Sequence, residues 1–179
     1  MSSASAHSTP FRIGHGYDLH RLEPPPPEGS GRPFILGGLR LEHPVGPVGH
    51  SDGDALFHAV TDAILGALAM PDIGQLFPDT APENDGQSSD VFLIEAVRRA
   101  REAGWRVGNC DCTIILERPK IGPIKDQLRQ AIAGHLGIEL GHVNVKGKTH
   151  EGVGELGAGR AVEVHVVATL FPVGEGAST

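Results

Sequence analysis

Val-Asn-Val-Lys-Gly-Lys-Thr at residues 143–149 and Ala-Val-Glu-Val-His-Val-Val-Ala-Thr-Leu-Phe at residues 161–171 are separated only by the Gly-rich stretch 150–159. Both read as strands from their β-branched content and alternation. Two strands in succession with no helix between them do not fit an all-parallel βαβ sheet. Upstream lie a helix over 124–136 that stops at Gly137, a turn over 117–123 and a strand over 107–116. Before these comes a helix entered at Ser88 or Ser89 that runs through Val91, Ile94, Val97 and Ala100 and stops at Gly104. A long irregular loop over 72–86 precedes it. The first helix is capped by Ser51 or Asp52 and runs to Met70 and Pro71, with Asp54, His58 and Asp62 as a polar stripe opposite an apolar face. The chain opens with a strand over 11–20, a proline-rich surface loop over 23–31 and a short hairpin over 33–42. Strands adjacent at both ends, with helices between, predict an α+β fold: one domain, a mixed sheet and helices packed on one face. On the last strand Val162, Val164, Val166 and Ala168 form one wholly apolar face, which suits either the core or an assembly surface.

The 179 residues are enough for one domain with a real core, here 11–172 between polar tails at 1–10 and 173–179. A net charge of -7 without a cluster of Lys or Arg argues against a protein that tracks nucleic-acid phosphates. No apolar run approaches the ~20 residues that span a bilayer, and the first ten residues resemble neither a signal nor a transit peptide. No membrane partner and a cytoplasmic location are therefore expected. Cys110 and Cys112 are one residue apart on a strand and match neither a redox nor a zinc-knuckle spacing; they read as two half-buried thiols. There is no GxGxxG or GxxxxGK[ST] segment and no internal repeat.

The chemistry gathers at element ends. Asp18 and His20, in Arg-Ile-Gly-His-Gly-Tyr-Asp-Leu-His (12–20), stand two apart on a strand and share a face. His58 lies on the helix opened by Gly-His-Ser-Asp-Gly-Asp-Ala-Leu-Phe-His (49–58). An Asp/His/His set could converge on zinc and leave a fourth position open, the arrangement of a catalytic site. His50 sits beside that helix start, where backbone N–H groups already favour an anion. Asp72 and Asp79 flank the loop and could accept from a polyol or merely cap turns. Thr149 and Glu151, again two apart, would face one site, and Glu is an ordinary oxygen ligand for magnesium on phosphates. A zinc phosphohydrolase and a non-catalytic protein whose zinc ties strand to helix remain alternatives to any more specific activity.

Taken in order, residues 12–20, His-Ser-Asp-Gly-Asp with His58, Ala59 and Asp62 beyond it, Asp-Ile-Gly-Gln-Leu-Phe-Pro-Asp (72–79) and Arg-Pro-Lys (118–120) resemble the 2-C-methyl-D-erythritol 2,4-cyclodiphosphate synthase family of the non-mevalonate isoprenoid pathway. The likeness runs from Arg12 to about Leu170. It implies a phosphorus–oxygen lyase that converts 4-diphosphocytidyl-2-C-methyl-D-erythritol 2-phosphate to the 2,4-cyclodiphosphate and releases CMP. It also implies that Asp18, His20 and His58 bind zinc, that His50 and Thr149 steady the transition state, and that Glu151 holds magnesium or manganese on the diphosphate. The cytidine would lie against Leu116, Glu117, Arg118, Pro119, Lys120, Ile121 and Gly122. Asp72, Ile73 and Gly74 would hold the erythritol hydroxyls, with Leu19, Ser51, Phe77, Pro78, Asp79 and Thr80 also against substrate. Lys148 and His150 would flank the Thr149 and Glu151 contacts. The family is a homotrimer with its sheets facing the trimer axis and active sites between subunits. One departure stands out: where many members carry Phe and Arg in the Gly-rich loop, this chain has Glu155 and Ala158, with Arg160 displaced by two, which argues against an isoprenoid diphosphate at the trimer axis.

Overall fold

The computed structural model describes residues 11–78, 81 and 86–174. The tail expected at 1–10, residues 175–179 of the tail expected at 173–179, and the substrate contacts expected of Asp79 and Thr80 lie outside these residues. In chain order the elements are β1 Arg12–Glu23, β2 Ile35–Leu36, β3 Leu39–Arg40, β4 Gly46–Pro47, α1 Ala55–Ala67, α2 Ile73–Leu76, α3 Asp90–Glu102, β5 Trp105–Ile115, α4 Lys125–Leu136, β6 Val143–Lys148, α5 Gly154–Gly157 and β7 Ala161–Pro172. Five strands form one sheet in the order β4-β1-β7-β5-β6, and β2 pairs with β3 as a separate hairpin. β7 runs antiparallel to both β1 and β5, whereas β5 and β6 are parallel, so the sheet is mixed as the element order predicts.

The core fills one side of that sheet. Val162, Val164, Val166, Ala168 and Leu170 are fully buried there, and α1 lies over β1 and β7. The apolar face of the last strand is therefore core and not an assembly surface. The opposite sheet face is open and carries apolar side chains: Ile13, Tyr17, Leu19 and Val167 are between 43 and 60 % exposed.

The alternation of β1 explains how closely α1 approaches. Gly14, Gly16, Asp18 and His20 share the helix-side face, and the first two have no side chain to hold the helix off. A Cβ at Gly14 would stand 1.8 Å from the Ala63 carbonyl oxygen, and one at Gly16 would stand 1.8 Å from that of Ala59. Ala59, Ala63 and Ala67 recur every four residues on α1, so small residues meet glycines and the two backbones touch.

Several expectations need correction. The cap of α1 is Asp54, whose side chain accepts from the N–H groups of Leu56 and Phe57, rather than Ser51 or Asp52. Asp54 also accepts from Gly37 and Gly38 at 2.9 and 2.7 Å, so it pins the β2–β3 turn to the helix and is fully buried. The polar stripe of Asp54, His58 and Asp62 is present, one turn apart, and it ties α1 to three different segments; Asp62 accepts from Ile73 N at 2.9 Å. The loop after Met70 contains the four-residue α2, capped by Asp72, and the Gly-rich stretch contains α5. β4, too short for any alternation to show, pairs with the end of β1. Cys110 and Cys112 are fully buried in the core, more so than half-buried thiols.

Candidate metal centre and active site

Asp18 and His20 arrive on the helix-side face of β1, and the glycine approach places His58, next to Ala59 on α1, directly above them. Asp18 Oδ2 lies 3.0 Å from His20 Nε2 and 3.0 Å from His58 Nδ1, and the two ring nitrogens are 3.3 Å apart. The three side chains are 23, 15 and 12 % exposed, partly sheltered yet open on one side. This is the one group of three or more His, Cys, Asp or Glu side chains among the described residues that could hold a metal ion. The remaining ring nitrogens are engaged: His20 Nδ1 faces the Val48 carbonyl at 3.2 Å, and His58 Nε2 faces Ser89 Oγ at 2.8 Å and Ser51 Oγ at 3.2 Å. Asp18 Oδ1 accepts from Leu19 N at 2.9 Å, which leaves Oδ2 for the centre.

Charge is balanced inside this group. Burial pushes the Asp18 carboxyl up, but hydrogen bonds from His20 and His58 and their charge outweigh it and hold the carboxyl well below the usual range. Burial pulls the His20 imidazole down, but its hydrogen bond to Asp18 and the carboxylate charge prevail and raise it above its ordinary 6.5. A group raised on folding stabilises fully below its unfolded value and loses that contribution as pH rises through the folded one. The metal-free protein is therefore expected to lose thermal stability as pH rises through and above 6.5. A metal must displace the same proton, so the increment in melting temperature on adding metal is expected to grow with pH over the same window. Melting curves with and without metal at a series of pH values check this; parallel trends in the two forms would count against it.

The other expected site residues lie at the same end of the sheet but apart from this group. His50 is exposed at the start of the 50–54 turn, and its carbonyl accepts from Gly86 N at 2.7 Å. Asp72 caps α2 through Gln75 N at 2.9 Å, with Ile73 and Gly74 in its first turn and Phe77 and Pro78 just after; the Phe77 ring packs 4.5 Å from that of Phe92. Leu116 is buried at the end of β5 and donates to the Lys148 carbonyl at 3.0 Å; from there Glu117 to Gly122 turn into α4, with Lys120 Nζ 3.5 Å from Glu117 Oε1. Thr149 donates its hydroxyl to Glu151 Oε1 at 2.6 Å, and Glu151 holds a left-handed backbone, φ 49°, while His150 Nδ1 faces the Val153 carbonyl at 2.9 Å. In the strand order β6 is three places from β1, about 14 Å at the usual spacing. One chain thus brings Asp18, His20 and His58 together and leaves the ends of β5 and β6 on a separate shoulder.

Ser89 occupies the N-cap position of α3, as the sequence predicts, but with helical φ and ψ and no side-chain capping bond. Its hydroxyl is instead aimed at Asp52 and His58, and no local spacing could have revealed that. In the Gly-rich loop Arg160 is occupied by Glu155, its Nε and Nη2 donating to the carboxylate at 2.6 and 2.7 Å.

Comparison with known proteins agrees with this arrangement. The YgbB family model matches residues 11–171. The chain is 52 % identical over 162 residues to the chloroplastic 2-C-methyl-D-erythritol 2,4-cyclodiphosphate synthase of Arabidopsis thaliana, covering 90 % of this chain and 68 % of the relative. It is 52 % identical over 160 residues to the synthase of Chromobacterium violaceum, covering 89 % of this chain and 98 % of the relative. The structure of Plasmodium falciparum IspF in complex with CDP superposes with a TM-score of 0.79 at 35 % identity, covering 93 % of this chain and all of that one. With residues 11–171 matched, and Asp18, His20 and His58 assembled as one ligand group, the chain belongs to the YgbB family.

Proposed function

We infer that the chain is a phosphorus–oxygen lyase that converts 4-diphosphocytidyl-2-C-methyl-D-erythritol 2-phosphate to 2-C-methyl-D-erythritol 2,4-cyclodiphosphate and CMP, in isoprenoid precursor synthesis. The observation that carries this reading is the convergence of Asp18, His20 and His58 in a chain about half identical to synthases of this reaction. In it the 2-phosphate oxygen attacks the β-phosphorus of the cytidine diphosphate arm. The bond from that phosphorus to the CMP oxygen breaks, CMP departs with the electron pair, and the ring closes. The protein supplies no nucleophile; it holds two anionic groups in line and offsets their repulsion.

The donor set fits zinc. Bonds of about 2.0 Å in a tetrahedron place ligand atoms about 3.3 Å apart, close to the 3.0, 3.0 and 3.3 Å seen between the three donors. One carboxylate and two imidazoles leave a fourth position open. Glu151 is assigned a magnesium or manganese ion: its exposed carboxylate is a hard oxygen donor, and the Thr149 hydroxyl orients it. Metal ions held by these residues would neutralise phosphate charge and fix oxygen positions. His50 and Thr149 are assigned the charge that develops as the phosphates approach, and residues 116–122 the cytidine. Asp72, Ile73 and Gly74 are assigned the erythritol hydroxyls, at the start of α2.

We further assign a homotrimer with each active site completed by a neighbour. The open apolar sheet face and the separation of the metal group from the β5 and β6 ends support this, since a substrate that needs both halves would find them on two chains. Among the described residues no helix is long and apolar enough to cross a membrane. The two free thiols of Cys110 and Cys112 suit a reducing compartment, and the cytoplasm is proposed.

Incubation with the cytidine substrate, zinc and magnesium, followed by phosphorus NMR, tests the activity. CMP with a cyclic diphosphate is expected; CMP with an open-chain phosphate would replace the cyclase by a hydrolase. His50→Ala and Thr149→Val are each expected to lower turnover about a hundredfold with bound zinc unchanged. Loss of zinc in either variant would move that residue from the reacting phosphates to the metal.

A further inference from the structure

We propose that Ser89 and Asp52 form a positioning relay for His58, one that leaves Nδ1 of its ring as the metal-facing lone pair. The proposal rests on reading Asp18, His20 and His58 as a metal site. Its warrant is a count of donors and acceptors. The Asp52 carboxylate receives Ser89 N–H at 3.1 Å on Oδ2, and on Oδ1 it receives Asp54 N–H at 3.1 Å and the Ser89 hydroxyl in a short contact. A carboxylate can only accept, so the Ser89 proton points to Asp52 and the Ser89 oxygen turns a lone pair outward. That oxygen lies 2.8 Å from His58 Nε2. Two acceptors cannot face each other at that distance, so Nε2 carries the hydrogen and donates it. With Nε2 committed as a donor, Nδ1, which donates to Asp18 Oδ2 at 3.0 Å, is the one ring nitrogen left to give up its proton to a metal ion and present a lone pair.

The surroundings favour this role over a structural one for Ser89. It is fully buried at the start of α3 yet makes no cap bond, so its hydroxyl contributes nothing to that helix end. Ser51 Oγ also faces His58 Nε2, but at 3.2 Å, and it accepts from Gly53 N at 3.2 Å. His20 receives its orientation from the Val48 carbonyl, so the two imidazoles are each held by a different kind of acceptor. The relay joins the entry of α3 and the 50–54 turn to the metal centre. Outer partners of this kind typically set metal affinity by about 10- to 100-fold.

The test measures zinc affinity of the full chain by competition with a chromophoric chelator, for the parent and for Ser89→Ala, Ser89→Thr and Asp52→Asn. The melting temperature of each metal-free protein is recorded alongside. Ser89→Ala and Asp52→Asn are expected to weaken zinc by about 10- to 100-fold. Ser89→Thr, which keeps the hydroxyl, is expected to restore most of the affinity. Nitrogen-15 spectra of the zinc-loaded parent are expected to show His58 protonated at Nε2 alone. Parent affinity in Ser89→Ala overturns the proposal, and so does an equal loss in Ser89→Thr, which would assign the effect to packing. A parent chain that takes up no zinc overturns the metal reading itself, and this proposal with it.

Discussion

Gly16→Ala is expected to destabilise the protein by about 4 kcal/mol or more and to abolish metal binding in whatever fraction folds. The added methyl would sit 1.8 Å from the Ala59 carbonyl oxygen and 2.7 Å from Ala63 N, both backbone atoms of fully buried residues of α1. No rotamer change can relieve a clash between main chains, so α1 must slide or lift from β1. Sliding carries His58 away from Asp18 and His20, because the helix bearing His58 has no other register on that strand. A chain of this size is expected to lose on the order of 10 °C in melting temperature. Thermal melting and zinc titration of the variant measure both effects; near-parent values for stability and metal affinity together would show that helix and strand are not held this closely.

His58→Ala is expected to be the most damaging change for turnover that leaves the fold in place. His58 Nδ1 is one of three donors and its side chain is still 12 % exposed, so truncation opens toward solvent rather than leaving a sealed cavity. The two remaining donors, Asp18 and His20, are adjacent on one strand and can hold zinc only weakly. CMP release is expected to fall at least about a thousandfold, since a lost Lewis acid removes several kcal/mol of charge stabilisation and each 1.4 kcal/mol is a factor of ten. Metal analysis, circular dichroism and a CMP assay on one preparation separate the outcomes. Full activity in a protein shown to lack the metal would remove the Asp/His/His group from the reaction. The contrast with His50→Ala, expected to keep its zinc, divides residues that hold the ion from those assigned to the phosphates.

The strands and long helices were legible in the sequence because alternation and helical spacing persist over ten residues or more, as in β1, β5 and β7. Asp18 and His20 were legible because a strand fixes the direction of residues two apart. His58 could be named as a partner, but its position above β1 depends on Gly14 and Gly16 letting backbones touch, a tertiary fact with no local signal. Asp54 was invisible as the cap for a related reason: Ser51, Asp52 and Asp54 all have capping chemistry, and only the buried N–H groups of Gly37 and Gly38 decide among them. α2 and α5, one turn each, are too short for any periodicity to show. The apolar run of β7 could not say which side it faced, because core and interface demand the same residues.

β7 has one more consequence. It is the last of the described strands to be made, yet it occupies the middle of the sheet, between β1 and β5. Until residues 161–172 have left the ribosome, β1 has only the two-residue β4 beside it, and β5 has only β6. The growing chain therefore holds one unpaired edge on β1 from early in its synthesis and a second on β5 once residue 115 is made, and the five-stranded sheet is complete only when β7 inserts between them. Pairing Arg12 with Leu170 spans nearly the whole described chain, which places this protein among slow folders whose nascent form is open to edge-to-edge association.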